Sequence, residues 1–174
     1  CGFQPFRADV PAVDRTGFAP RSFVHGGALY VATFYSSTSL DILRCEIARR
    51  DCANPLNWVR VQRFNTLTNN TYWSKSLAGG ANTDRIYFAA YESGDSPRVV
   101  TFSCSATGYC GTSSEWVRTT VENVDTLPFG LGFTAGNGYN FLAYWRFPSA
   151  EFRIVVASCP TSSDCTSAST WFKP

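Results

Sequence analysis

Methionine is absent from the 174 residues, and histidine occurs once, as His25. Lysine is almost absent: Lys75 and Lys173 stand against thirteen arginines. Charged residues make up 16%, below the usual quarter, which excludes a long, self-repelling disordered chain. The formal net charge of +2 leaves no basic excess for a nucleic-acid backbone. No apolar run approaches the roughly 18 residues a membrane-crossing helix needs. With one imidazole, a nucleophilic triad has a single candidate base. His25 precedes Gly26-Gly27 and reads as a polar turn residue. Carboxylate-rich calcium loops, P-loops and dinucleotide fingerprints are missing, so no metal and no cofactor is expected.

What is present is cysteine, seven of them, with five tryptophans. Six cysteines form three pairs: Cys45/Cys52, Cys104/Cys110 and Cys159/Cys165. Each second cysteine is followed at the same offset by a tryptophan: Trp58, Trp116 and Trp171. Two of these continue alike, as Trp58-Val59-Arg60 and Trp116-Val117-Arg118. The similarity extends upstream. Leu29–Phe34 aligns with Ile86–Tyr91 and with Tyr139–Tyr144, each run ending in an aromatic residue after a small one. A glycine turn is expected before each run, at Gly26-Gly27, Gly79-Gly80 and Gly136-Asn137-Gly138, because glycine and Asn-Gly accept the positive φ of tight hairpins.

Each copy then reads as four strands. The first precedes the glycine turn (Arg21–Val24, Tyr72–Leu77, Phe129–Thr134). The aromatic run is the second, apolar on both faces as suits burial between neighbouring sheets. The third enters the first cysteine (Ile42–Cys45, Val99–Cys104, Ile154–Cys159), and the tryptophan opens the fourth. Strands are rich in β-branched and aromatic residues, and helical periodicity is not sustained anywhere. Four-stranded units at this spacing are the pattern of β-propeller blades. The expected fold is all-β. Residues 1–20 form a tether or strap, 21–61, 62–119 and 120–174 are three propeller-type blades, and the last fourth strand is short or truncated. Rings have typically four to eight blades, so three imply a larger ring or assembly.

Five or six residues between paired cysteines exceed the two to four usual in zinc sites. Local disulfides, one per blade, fit better; a metal site and reduced thiols are the alternatives. Closing so short a loop contributes roughly 2–3 kcal/mol in the chain-entropy view, and disulfides imply an oxidising compartment. Cys1 is then left over. A chain that opens Cys1-Gly2 without methionine begins at a cleavage site or an arbitrary boundary, with any targeting segment gone.

The C-x5/6-C-x5-W repeat, with a hairpin ahead of it ending in an alanine and an aromatic residue, resembles the blades of secreted or lipid-anchored bacterial β-propeller repeat proteins, which are distantly sialidase-like. A mature bacterial lipoprotein likewise begins with a cysteine that carries its lipid, and this resemblance implies Cys1 as the attachment point; an intermolecular disulfide and a free thiol at an arbitrary boundary are the alternatives. Together they imply an exported protein, periplasmic, anchored to the outer membrane or extracellular. The expected role is a non-catalytic envelope binding or scaffold module, an accessory subunit of a surface assembly. The alternative is a lectin or a sialidase-like glycoside hydrolase.

Hydrolysis of a glycoside needs two carboxylates across one cleft. Asp41, Glu92, Asp95, Asp125 and Glu151 are the candidates at expected loop tips. None recurs at one repeat position, so they read as solvated loop charge. Tyr144-Trp145-Arg146-Phe147, on another expected loop, is the candidate binding surface, since aromatic and arginine side chains anchor interfaces. Packing on a neighbouring blade is the other reading. The expected partner is a protein, or a second copy, that completes the blades. A glycan is the alternative, and the membrane is reached only through a lipid on Cys1.

Overall fold

The computed structural model describes residues 20–36, 39–65, 77–92, 96–108, 110–124, 130–146, 153–163 and 165–174. Cys1, Phe147, Asp95, Asp125 and Glu151 fall outside them, as do residues 1–19 of the tether expected over 1–20 and most of the strand expected at Tyr72–Leu77.

The described chain is all-β and folds into three antiparallel sheets. Sheet I holds β1 (Arg21–His25), β2 (Ala28–Ser36), β3 (Ser39–Glu46) and β4 (Val59–Phe64). Sheet II holds β5 (Leu77–Ala81), β6 (Arg85–Glu92), β7 (Arg98–Ser105) and β8 (Trp116–Asn123). Sheet III holds β9 (Leu131–Gly136), β10 (Tyr139–Arg146) and β11 (Arg153–Pro160). Each is a meander in chain order. Where a fourth strand would run in sheet III, Phe172 alone bridges Ser158, with N–H···O distances of 2.9 and 2.7 Å.

Sheet II lies between the other two. In β6, Ile86, Phe88 and Ala90 pack toward sheet I, while Tyr87, Ala89 and Tyr91 pack toward sheet III. None of the six is more than 1% exposed. Successive side chains of a strand point to opposite faces, so a strand covered on both sides must be apolar at every position. That is the physical content of the doubly apolar run. Aromatic rings bridge both gaps: Phe64 and Phe102 at 4.2 Å between sheets I and II, Tyr87 and Phe133 at 5.1 Å between sheets II and III.

The first strands of successive sheets touch, β1 against β5 and β5 against β9. Here the glycine reading needs correction. Gly26 and Gly138 occupy turns with φ of +55° and +78°, as hairpins demand. Gly79 and Gly80 instead lie within β5. A Cβ on Gly79 would stand 2.8 Å from a ring carbon of Phe88, and one on Gly80 2.7 Å from a ring carbon of Phe133. These glycines permit close approach rather than a turn. The turn comes two residues later, where the Asn82 side-chain oxygen accepts from the amides of Asp84 and Arg85 at 2.8 and 2.7 Å.

The three cysteine pairs are disulfides, each within its own repeat: Cys45–Cys52, Cys104–Cys110 and Cys159–Cys165. A short 3-10 turn follows the second cysteine in every copy, at Pro55–Asn57, Ser113–Glu115 and Ala168–Thr170. The next residue is the tryptophan, whose indole N–H donates back to the carbonyl of that cysteine. The distances are 2.9 Å for Trp58, 3.4 Å for Trp116 and 3.1 Å for Trp171. A buried indole N–H needs an acceptor. One turn of 3-10 helix brings the two groups together, which accounts for the invariant cysteine-to-tryptophan spacing.

Candidate functional site

The disulfides supply an internal ruler. Leu29 pairs across the ladder with Cys45, Ile86 with Cys104, and Asn140 with Cys159. The third aromatic run is therefore offset by one residue from the sequence alignment, which placed Tyr139 beside Leu29 and Ile86. The residue equivalent to Phe34 and Tyr91 is Trp145, and Tyr144 corresponds to Thr33 and Ala90. Asn140 takes the place of a leucine or isoleucine because it ties sheets II and III together. Wholly buried, it accepts from the Asn82 amide at 2.9 Å and donates to the Tyr87 hydroxyl at 3.4 Å.

The offset divides the candidate surface Tyr144–Phe147. Tyr144, Trp145 and Arg146 are strand residues of β10, not a loop, so they alternate. Tyr144 is 1% exposed and donates its hydroxyl hydrogen to Glu122 of sheet II. Burial pushes its phenol well above the ordinary value, Glu122 adds to the rise and Arg146 opposes it. Arg146 also turns to Glu122, at 3.2 Å. Trp145 alone of the three faces outward, at 39% exposure.

Around Trp145 is a row the sequence reading did not assemble. Ile154 is opposite it in β11, and Val156 is opposite Ala143. These side chains are 62% and 44% exposed, with Tyr139 at 44% on the same row. Phe172, bridged to Ser158, is 68% exposed. The signal was available in the alternation of Arg153–Pro160, but it could be oriented only once the register was known.

The carboxylates are placed elsewhere. Asp41 is not on a loop tip. It sits within β3, 6% exposed, held in a bidentate pair by Arg63 Nε and Nη2 at 2.6 Å each. Glu92 ends β6 and is fully buried. Arg98 Nε donates to it at 2.7 Å, and Arg118 grips both its oxygens. A buried carboxylate requires such partners, since removing an ion from water without them costs several kcal/mol or more. Asp41 and Glu92 lie in different sheets and do not share a cleft. His25 ends β1 beside the Gly26-Gly27 turn. A recess of about 310 Å³ lies next to that turn, lined by Arg44 and Glu46, which pair with each other at 3.0 Å. Among the described residues no cluster of three metal-ligating side chains occurs.

No protein-family profile matches the sequence and no curated protein matches it. Among solved structures the chain is similar to the crystal structure of an α-L-arabinofuranosidase from Lactobacillus brevis. The TM-score is 0.54 and the identity 12%, over 89% of this chain and 53% of that one. The chain thus spans about half the length of the structure it matches, and at this identity the likeness is one of fold.

Proposed function

We propose that the chain is a non-catalytic, exported binding or scaffold module built from three propeller-type blades. The observation that carries this reading is the outer face of sheet III. Trp145, Ile154 and Val156 repeat side-chain types that are buried between the other sheets, yet they stand open. Contiguous apolar surface of this kind marks interaction sites. Two further observations support it. Asp41, Glu92 and Glu122, buried or nearly so, are each committed to arginine, which leaves none of them free for acid–base work. Three disulfides fit an oxidising environment, and Cys1, outside all three pairs, fits a lipid attachment point on an exported chain.

The fold of the arabinofuranosidase favours one other reading, a carbohydrate-binding or glycoside-hydrolysing module. The two separate in one experiment. The purified chain is incubated with an aryl α-L-arabinofuranoside and with a glycan array. The scaffold reading expects no aryl release above buffer and no retained glycan. Turnover that disappears in Glu92→Gln, or glycan binding that disappears in Trp145→Ala, would overturn it in favour of the carbohydrate reading.

A further inference from the structure

The three disulfide clamps share one backbone frame. Two residues past the first cysteine, an amide donates to a carbonyl of the hairpin turn in every copy. These bonds run from Ile47 to Gly27 at 3.0 Å, from Ala106 to Asp84 at 2.7 Å and from Thr161 to Gly138 at 2.8 Å. Four residues past it, an amide closes a turn: Arg49 onto Glu46 at 3.2 Å, Gly108 onto Ser105 at 3.1 Å and Ser163 onto Pro160 at 2.9 Å. What differs is charge. Arg44, Glu46 and Arg49 of the first copy stand where the second has Ser103, Ser105 and Gly108, and the third has Ser158, Pro160 and Ser163. The frame therefore forms without these ions. The side chains of Arg44 and Glu46 are only 13% and 19% exposed. Taking such a pair out of water costs as much as its attraction returns, or more. The clamp has no need of the pair, so its presence in one copy calls for another cause.

These three side chains line the recess of about 310 Å³, together with Gly26, Gly27 and Ala48. Arg44 is fixed in it. Its Nε donates to the Tyr30 hydroxyl at 3.2 Å and its Nη1 to Glu46 at 3.0 Å, and its guanidinium lies 5.9 Å from the centre of the Tyr30 ring. Arg49 is held less closely. Its Nε is 3.8 Å from Glu46, beyond hydrogen-bond reach, and its side chain is 82% exposed. At Glu92, by contrast, both arginines reach hydrogen-bond distance. Two guanidiniums against one carboxylate leave the recess one positive charge in excess, and the exposed Arg49 presents it to solvent. A Cβ on Gly26 or Gly27 would meet nothing within 4 Å, so that wall is bare backbone with room beside it.

We infer that this recess binds one carboxylate presented by a protein partner, with Arg49 as its principal ligand and Arg44 as a fixed second cation. The planar fork of arginine matches a carboxylate in two parallel hydrogen bonds. One excess charge suits a singly charged group, and Glu46 repels a second negative charge. A chain terminus and an acidic side chain offer the same carboxylate. The inference rests on the binding-module reading above and names the chemistry of one ligand. It does not involve the Trp145 face, since the recess belongs to sheet I.

The test is a nuclear magnetic resonance titration of the 15N-labelled, disulfide-intact chain with three small probes. N-acetyl-glycylglycine carries a terminal carboxylate, N-acetyl-glutamate amide a side-chain carboxylate, and N-acetyl-glycylglycine amide none. The expected result is saturable shifts of the Gly26, Gly27 and Ala48 amides and of Arg49 Nε with at least one of the first two, and none with the third. Which of the two acts tells a chain terminus from an acidic side chain. Arg49→Ala should weaken binding about tenfold or more, the effect of one lost charge-assisted hydrogen bond. Arg50→Ala, at an exposed neighbour outside the lining, should leave it unchanged. Equal shifts with the uncharged probe would overturn the inference, as would equal weakening in both variants or no saturable shift with either carboxylate. Glucuronate shifting the same resonances where neither peptide does would mean an acidic sugar, and would also overturn it. A failed titration leaves the non-catalytic reading standing, whereas release of sugar from the aryl arabinofuranoside removes that reading and leaves the recess untouched.

Discussion

One methyl group at Gly79 decides how closely sheets I and II approach. A Cβ there would sit 2.8 Å from Phe88 and 3.3 Å from Phe23, and Phe88 is fully buried. Its ring has nowhere to retreat in an interior packed to crystal density. Gly79→Ala is therefore expected to destabilise the fold by about 1–3 kcal/mol, the usual range for overpacking. Gly136→Ala, with open space around its Cβ, is expected to stay within about 0.5 kcal/mol of the parent, as surface changes do. Urea denaturation of the two variants checks the contrast. Tyr144 supports a second expectation. Its pKa is raised in the folded state by burial and by Glu122, so above the ordinary tyrosine value of 10.0 the unfolded chain loses a proton that the folded chain keeps. Stability is full below that value and falls as pH rises beyond it. Ultraviolet titration of the native protein should show late-ionising tyrosines, and Tyr144→Phe should remove one of them and flatten the alkaline loss of stability. An unchanged late group would contradict the assignment.

At the scale of the element, the recurring unit is a clamp: a disulfide, one turn of 3-10 helix, and an indole hydrogen-bonded to the second cysteine. Its members were legible in the sequence because cysteine pairing and the fixed tryptophan offset both leave a spacing. The order of the strands was legible as well, from β-branched runs between turn residues, and eleven of the twelve expected occur among the described residues, with a single bridge in place of the last. Two features were not. Glycine serves a tight turn and a ring seat equally well, so Gly79-Gly80 was read as the turn that Asn82–Asp84 makes. The third aromatic run could be aligned by its terminal aromatic, Tyr144 or Trp145, and only the pairing of Asn140 with Cys159 decides between them. A one-residue slip exchanges every inward and outward side chain, which is why Tyr144 and Arg146 were grouped with Trp145. The same slip hid Ile154 and Val156. The clamps also differ in access. Cys104–Cys110 and Cys159–Cys165 sit in the clusters between sheets, with Cys110 and Cys165 each 1% exposed. Cys52 is half-buried between exposed neighbours. Thiol exchange depends on access to a sulfur, so mild reductant should open Cys45–Cys52 first. Differential alkylation and peptide mapping would show it, and earlier labelling of Cys104 and Cys110 would count against this placement.

At the scale of the whole molecule, the three sheets stand in series with their first strands in contact, and the ends of the series are chemically unlike. Sheet I carries the Asp41–Arg63 pair on its outer side, and sheet III carries Trp145, Ile154 and Val156. A stack with one charged and one apolar end has a direction. The most direct measurement is hydroxyl-radical footprinting of the isolated folded chain, with each residue's rate divided by its rate in the unfolded chain. Trp145 and Ile154 should be labelled readily while their equivalents Tyr91, Val99, Phe34 and Leu40 are protected. If Trp145 were protected as strongly as Tyr91, the third row would not be open, and the proposed interaction surface on the outer face of sheet III would be wrong.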